Sequence, residues 1–141
     1  MQTPSVFLDS DVVISSLLSS RGAARFLIKE ERIQRYLSTR SCDELASVAT
    51  RLHIDAKDLA YTISCCQVVP LTDPTHALMA QYASYVIDAN DAHIVAGAVA
   101  SQARFLTTYN LKHFYIDRIK EDHDILVIPP AFLIQYLRSL Y

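Results

Sequence analysis

Short apolar runs alternate along this chain with longer stretches in which apolar residues recur at helical spacing. Ser5–Leu8 is a run of four bounded by Pro4 and Asp9, and predicts a short buried strand. Asp11–Leu18 follows helical spacing until Ser19-Ser20-Arg21-Gly22 interrupts it. Ala23–Lys29 predicts a helix and Ile33–Ser38 a strand. Ser41-Cys42-Asp43-Glu44 has the form of a capping box, with Ser41 as N-cap and Glu44 at the third helical position; its helix should reach about Leu52. Asp55 is placed to cap a helix to about Cys65, and Gln67–Leu71 reads as a strand. Thr72 or Asp73 caps a helix starting at Pro74 and reaching about Val86. Asp88-Ala89-Asn90-Asp91 precedes a long apolar helix to about Ala103. Arg104–Thr107 and Ile125–Ile128 are strands, and Pro129-Pro130 opens a final helix to Leu140.

These strands are continuous apolar runs, as expected where helices cover both faces of a parallel sheet. In such a fold, ligand sites lie beyond the carboxyl ends of the strands. Asp9 and Asp11 lie just past the end of the first strand. Glu44 opens a helix, Asp88 and Asp91 stand where another begins, and Thr107 ends the strand Arg104–Thr107 with Thr108 and Asn110 just after it. Several of these oxygens are expected to meet in one pocket. Carboxylates about 5 Å apart repel by roughly 3 kcal/mol per pair at an effective dielectric near 20. Such a cluster persists if some members protonate or if a hard divalent cation lies among them. Simpler roles compete: Glu44 as part of the capping box, Asp88 and Asp91 as complements to a helix dipole, Asp11 as an N-cap. Asp9 is hardest to explain that way, because it ends a buried strand.

Composition narrows the choices. A chain of 141 residues with 51% hydrophobic residues can build one core. The net charge of −2 excludes a global positive field, so a polyanion would have to be met by a local cluster or by cations. Two glycines, Gly22 and Gly97, exclude a glycine-rich phosphate loop. Three cysteines without metal-type spacing predict free thiols in a reducing compartment. The five histidines form no HxH or HExxH pair; His93 and His113, near the acidic segments, are expected to be neutral and structural. No apolar run is long enough to span a membrane, and the first one meets acids too soon for a signal peptide, so a soluble cytoplasmic protein is expected.

Four segments together, VFLDSDVVISSLL, SCDELASVATRL, VIDANDAHIVAGAVASQARFLTTYNLKHF and ILVIPPAFLIQYL, closely resemble the PIN domain family, and within it the toxin components of bacterial toxin–antitoxin pairs. The resemblance runs in order over nearly the whole chain. It implies one PIN-like domain over residues 1–141, a three-layer α/β/α sandwich on a short, mainly parallel sheet. It implies a Mg²⁺- or Mn²⁺-dependent endoribonuclease that hydrolyses RNA phosphodiester bonds with metal-activated water. Carried over by position, Asp9, Glu44 and Asp91 are its acids. The fourth acid of many members falls at Asn110, a neutral ligand; Asp88 would restore the missing charge, and Asp11 stands where Asn is common in the family. One cation would be held mainly by Asp9 and Asp91, and a second would be recruited through Glu44 and Asp88. Ser10 and Thr108 are then candidates to bind a phosphate oxygen or a metal-bound water, and Lys112 and Arg21 to contact phosphate. Single-stranded or looped RNA, a small antitoxin protein and a homodimer are the implied partners.

Two other readings follow from the same residues. A PIN-like domain with Asn110 in place of an acid could be a non-catalytic binding module. The opening hhhDxDxV also resembles haloacid-dehalogenase-type phosphatases, with Asp9 as nucleophile and Asp11 as acid/base; there, however, the later acids should follow the Ser/Thr strand, whereas Asp88 and Asp91 precede it.

Overall fold

The computed structural model describes residues 3–140. Its centre is a five-stranded sheet of β1 (Ser5–Leu8), β2 (Gln34–Ser38), β3 (Gln67–Val69), β4 (Phe105–Thr107) and β5 (Leu126–Ile128), in spatial order β3-β2-β1-β4-β5. Every pairing is parallel; Phe7 lies opposite Tyr36 on one side and Leu106 on the other. The helices among the described residues are α1 (Ser10–Leu18), α2 (Ala23–Lys29), α3 (Thr39–Arg51), α4 (Ala56–Ser64), α5 (Thr75–Tyr82), α6 (Ala92–Ala100), α7 (Ile116–His123) and α8 (Pro130–Leu140). Single 3₁₀ turns cover Ala83–Tyr85, Ala89–Asp91 and Leu111–His113.

Successive strand residues point to opposite faces, and this divides the core in two. Val6, Leu8, Leu37 and Phe105 face α1, α2, α3, α4 and α8. Phe7, Leu106 and Val127 face α5, α6 and α7. The result is the expected three-layer α/β/α arrangement. Val6, Phe7 and Leu8 have no exposed surface. Full burial of such a side chain is worth roughly 1.5–3 kcal/mol, so the strand that carries Asp9 is firmly anchored. Gly97 lets α6 lie close to β1: a Cβ at that position would meet Phe7 Cζ at 2.5 Å and Cε2 at 2.6 Å.

Several local expectations change. Helix α3 begins at Thr39, with Ser38 as N-cap; Ser38 Oγ accepts from the Ser41 N–H at 3.0 Å. Ser41 is therefore inside the helix, and Glu44 is in its second turn rather than in a capping box. Asp9, not Asp11, caps α1, accepting from the Ser10 N–H at 2.7 Å. Helix α5 starts after Pro74, with no side-chain cap from Thr72 or Asp73. Asp55 does cap α4, accepting from the Lys57 N–H. Helix α6 ends at Ala100, short of Ala103, and Gln102 then takes a positive φ of 56°. Helix α7 was not anticipated, because its sequence IDRIKEDH buries only Ile119. No helix among the described residues is long and apolar enough to cross a membrane.

Candidate active site

Strands β2 and β3 lie on one side of β1, and β4 and β5 on the other. The order thus reverses at β1, and the carboxyl ends of β1 and β4 flank the crevice that such a reversal opens. The Asp9 N–H donates to the Thr107 carbonyl at 3.0 Å, extending the β1–β4 ladder to the site itself. Thr108 Oγ1 lies 2.9 Å from Asp9 Oδ2 and 3.3 Å from Asp11 Oδ2, so its single proton serves one carboxylate at a time. Asp11 Oδ2 also accepts from the Tyr109 N–H at 3.0 Å and from Asn110 Nδ2 at 2.8 Å. The Asn110 N–H in turn donates to Thr108 Oγ1 at 3.0 Å. Two segments 97 to 99 residues apart in sequence are held together by carboxylates.

The remaining acids come from the segments around α3 and α6. Glu44 projects from α3 and its Oε2 lies 3.0 Å from His93 Nε2 on α6. Asp91 ends the 3₁₀ turn before α6, with Oδ2 3.6 Å from His113 Nδ1. Asp88 caps the same turn, accepting from the Asn90 N–H at 2.9 Å. Neither histidine pairing was visible from spacing, and both rings were expected to be structural. The partners are 49 residues apart for Glu44 and His93, and the connection appears only once α6 packs beside α3.

Electrostatics ties these acids together. Burial pushes the Asp9 carboxyl up to about 7, the Asp11 charge adds to this, and Asp91 contributes less; hydrogen bonds from Thr108 and Ser10 oppose the rise. Asp11 is raised by burial, against the Tyr109 and Thr108 hydrogen bonds. Asp91 is raised by burial and also by the Asp88 and Glu44 charges, with His113 opposing. Glu44 is held below the usual carboxylate range by its His93 hydrogen bond, with burial opposing. Two of these influences cross between distant parts of the chain, Asp91 acting on Asp9 and Glu44 on Asp91.

Whether this set suits a divalent cation can be judged from its donors. They are carboxylate, hydroxyl and amide oxygens, which suit Mg²⁺ or Mn²⁺. Asp11 Oδ1 is buried without a hydrogen-bond partner, while the Ser10 hydroxyl acts on Glu44. Among the described residues, no three His, Cys, Asp or Glu side chains stand at ligand spacing round one point. Two of the acids, Glu44 and Asp91, are instead engaged with histidines. The donor chemistry fits a hard cation. Thr108 is fully buried and committed to the acids, whereas Lys112 is exposed on the turn between Asn110 and His113. Arg21 lies past the opposite end of α1, about 14 Å of helix from Asp9.

A family profile described as PIN domain matches residues 5–112. The chain belongs to the PIN domain family. The match spans every acid discussed above, and it decides against the phosphatase alternative. No curated protein matches the sequence. Among solved structures, this PIN domain is similar to VapBC2 from Rickettsia felis bound to a DNA fragment from its promoter, with a TM-score of 0.61 and 15% identity over 87% of this chain and 96% of that one. It is also similar to FitAB bound to an IR36 DNA fragment, with a TM-score of 0.59 and 22% identity over 89% and 94% of the two chains. At these identities the likeness is one of fold. Both matches extend past Lys112, consistent with β5 pairing with β4 and α8 packing against α2.

Proposed function

We propose that this PIN domain, acting as one unit over residues 1–141, is a Mg²⁺- or Mn²⁺-dependent endoribonuclease and the toxin of a toxin–antitoxin pair. The observation that carries the proposal is that acids from three distant segments act on one another, Glu44 on Asp91 and Asp91 on Asp9, with Asp9 pushed up to about 7. A buried carboxyl held so far above its ordinary value is costly to ionise, and folds keep such groups where function needs them. Asp9 and Asp91 would hold one cation, and Glu44 and Asp88 a second. When bound, the cations supply Lewis-acid activation of water and charge stabilisation at the scissile phosphate.

The chain's own groups do the rest. Thr108 and the Ser10 N–H orient the Asp9 carboxylate through its two oxygens. His93 and His113 hold Glu44 and Asp91 in place until they are needed as ligands. Ser10 Oγ, buried beside Glu44, is placed to meet a phosphate oxygen or an ordered water. Lys112, exposed on the turn after Asn110, offers a positive charge to a backbone phosphate. Single-stranded or looped RNA presents the accessible phosphodiesters such a crevice requires. The two solved neighbours are toxin–antitoxin PIN proteins in complex with DNA, which supports a small antitoxin partner for this chain as well. A homodimer and a cytoplasmic location complete the proposal.

The test is cleavage of a pool of end-labelled RNAs with Mn²⁺, with Mn²⁺ plus EDTA, and by Asp9→Asn. Cutting by the wild type alone, abolished by EDTA, is expected. Absence of metal-dependent cutting across varied RNAs, with RNA or protein binding retained, would instead favour the non-catalytic module.

A further inference from the structure

Asn110 occupies the position at which a metal-binding acid was expected, yet its amide is already in use. Asn110 Nδ2 donates to Asp11 Oδ2 at 2.8 Å. The opposite amide orientation would set a carbonyl oxygen against a carboxylate oxygen at that distance, so the donor must face Asp11. Asp11 Oδ2 also receives the Tyr109 N–H, and Thr108 Oγ1 lies within reach. One oxygen of Asp11 is therefore crowded with donors while the other, Oδ1, is buried with none. Ser10, the residue between the two acids, is only 6% exposed, and its hydroxyl acts on Glu44. A carboxylate that serves only to latch a loop would share its donors between both oxygens or turn the spare one to water. A buried anionic oxygen without a donor is instead what a cation ligand looks like before the cation arrives.

Asp11 also lies within the acidic set rather than beside it. Its charge acts on Asp9, and His113, the partner of Asp91, acts on Asp11. We propose that Asp11 supplies a further carboxylate to the cation site through Oδ1, and that Asn110 is a positioning residue that aims it, not a ligand. The inference rests on the metal-dependent reading above and names one more residue in that site. Its physical content is an exchange of roles. The acid stands on the first turn of α1 and the amide on the loop after β4, and the hydrogen bond between them keeps the pair in register.

The experiment is calorimetric titration of Mn²⁺ into metal-free wild type, Asp9→Asn, Asp11→Asn, Asn110→Asp and the double exchange Asp11→Asn/Asn110→Asp, with the metal-free Tm of each at pH 8. Asp11→Asn should weaken Mn²⁺ binding at least tenfold while raising the metal-free Tm, because a like charge beside Asp9 is removed. The double exchange leaves a carboxylate at 110 and none at 11, and should bind Mn²⁺ as weakly as Asp11→Asn; recovery of wild-type affinity would make residue 110 the ligand and overturn the inference. Asn110→Asp alone sets two carboxylates against each other and should lower the metal-free Tm. If Asp11→Asn binds Mn²⁺ as wild type does and loses stability, Asp11 is only a latch and the inference is overturned. In that case loss of binding in Asp9→Asn would leave the metal-dependent reading standing. If the wild type itself takes up no Mn²⁺, that reading fails and this inference with it.

Discussion

His93 Nε2 stands 3.0 Å from Glu44 Oε2, and the pair joins α6 to α3. The two ends differ: the His93 side chain is 10% exposed and that of Glu44 is 44% exposed. The histidine is thus the fixed member and the glutamate the movable one. His93→Phe keeps the ring and removes the donor. Glu44 should then titrate higher, followed through its side-chain carbonyl by NMR. A folded-state value below the ordinary 4.5 means the pair stabilises the protein above that pH and ceases to do so as pH falls through the lower folded value. The variant should therefore lose stability relative to wild type at pH 6, and this pH-dependent part of the loss should fade as the pH falls below 4.5.

Asp9 works in the opposite direction. Its carboxyl is raised from 3.8 to about 7, chiefly by burial. The folded state binds this proton more tightly than the unfolded chain does, so stability falls as pH rises from about 4 through 7 and then levels off. A span from 3.8 to about 7 corresponds to on the order of 4 kcal/mol. Asp9→Asn, which cannot ionise, should stabilise the metal-free protein by a few kcal/mol at pH 8. The gain should shrink toward zero below pH 4. Urea denaturation of the two proteins across this range measures it; a pH-independent difference would contradict the assignment.

Thr108 supports the same carboxylate. Its hydroxyl lies 2.9 Å from Asp9 Oδ2, and this contact opposes the rise caused by burial. Thr108→Val is close in shape but has no donor, so Asp9 should titrate still higher than in wild type. Thr108→Ser should return the titration to the wild-type value. Carboxyl-carbon NMR of the three metal-free proteins distinguishes this from a packing defect, which serine would not repair.

The sheet was readable because its strands are apolar throughout. Ser5–Leu8 was delimited correctly from the residues on either side, and that alone set Asp9 beyond the end of a buried strand. The start of α3 is ambiguous in the sequence, since Ser38 and Ser41 can both cap and only the chain's path from β2 decides between them. Helix α7 was missed because one buried residue in eight gives no apolar stripe to detect. At the site, the residue types and their placement on strand ends and helix starts pointed to the acids. The contacts that set their chemistry did not follow, because His93, His113 and Asn110 meet Glu44, Asp91 and Asp11 across long separations in sequence. Those contacts are products of tertiary packing, and periodicity carries no information about them.

Packing beneath the site gives a final expectation. Phe7 lies fully buried on β1, two residues before Asp9, and its ring occupies the space where a side chain at Gly97 would go. A Cβ at 97 would come 2.5 Å from Phe7 Cζ, well inside van der Waals contact, and 3.3 Å from Ser38 Cβ. Ser38 also caps α3, so the ring cannot move aside without disturbing either the strand or the cap. Overpacking of this kind costs about 1–3 kcal/mol, against the few tenths to 1 kcal/mol that alanine gains over glycine inside a helix. Gly97→Ala should therefore destabilise the protein in spite of the better helix former. Phe7→Leu alone should also destabilise it, by removing buried surface. Combined, the two should cost less than their sum, because the smaller side chain vacates the place the new methyl needs. Denaturation of the four proteins in a double-mutant cycle measures that coupling; strict additivity would mean that Phe7 and Gly97 do not share the contact.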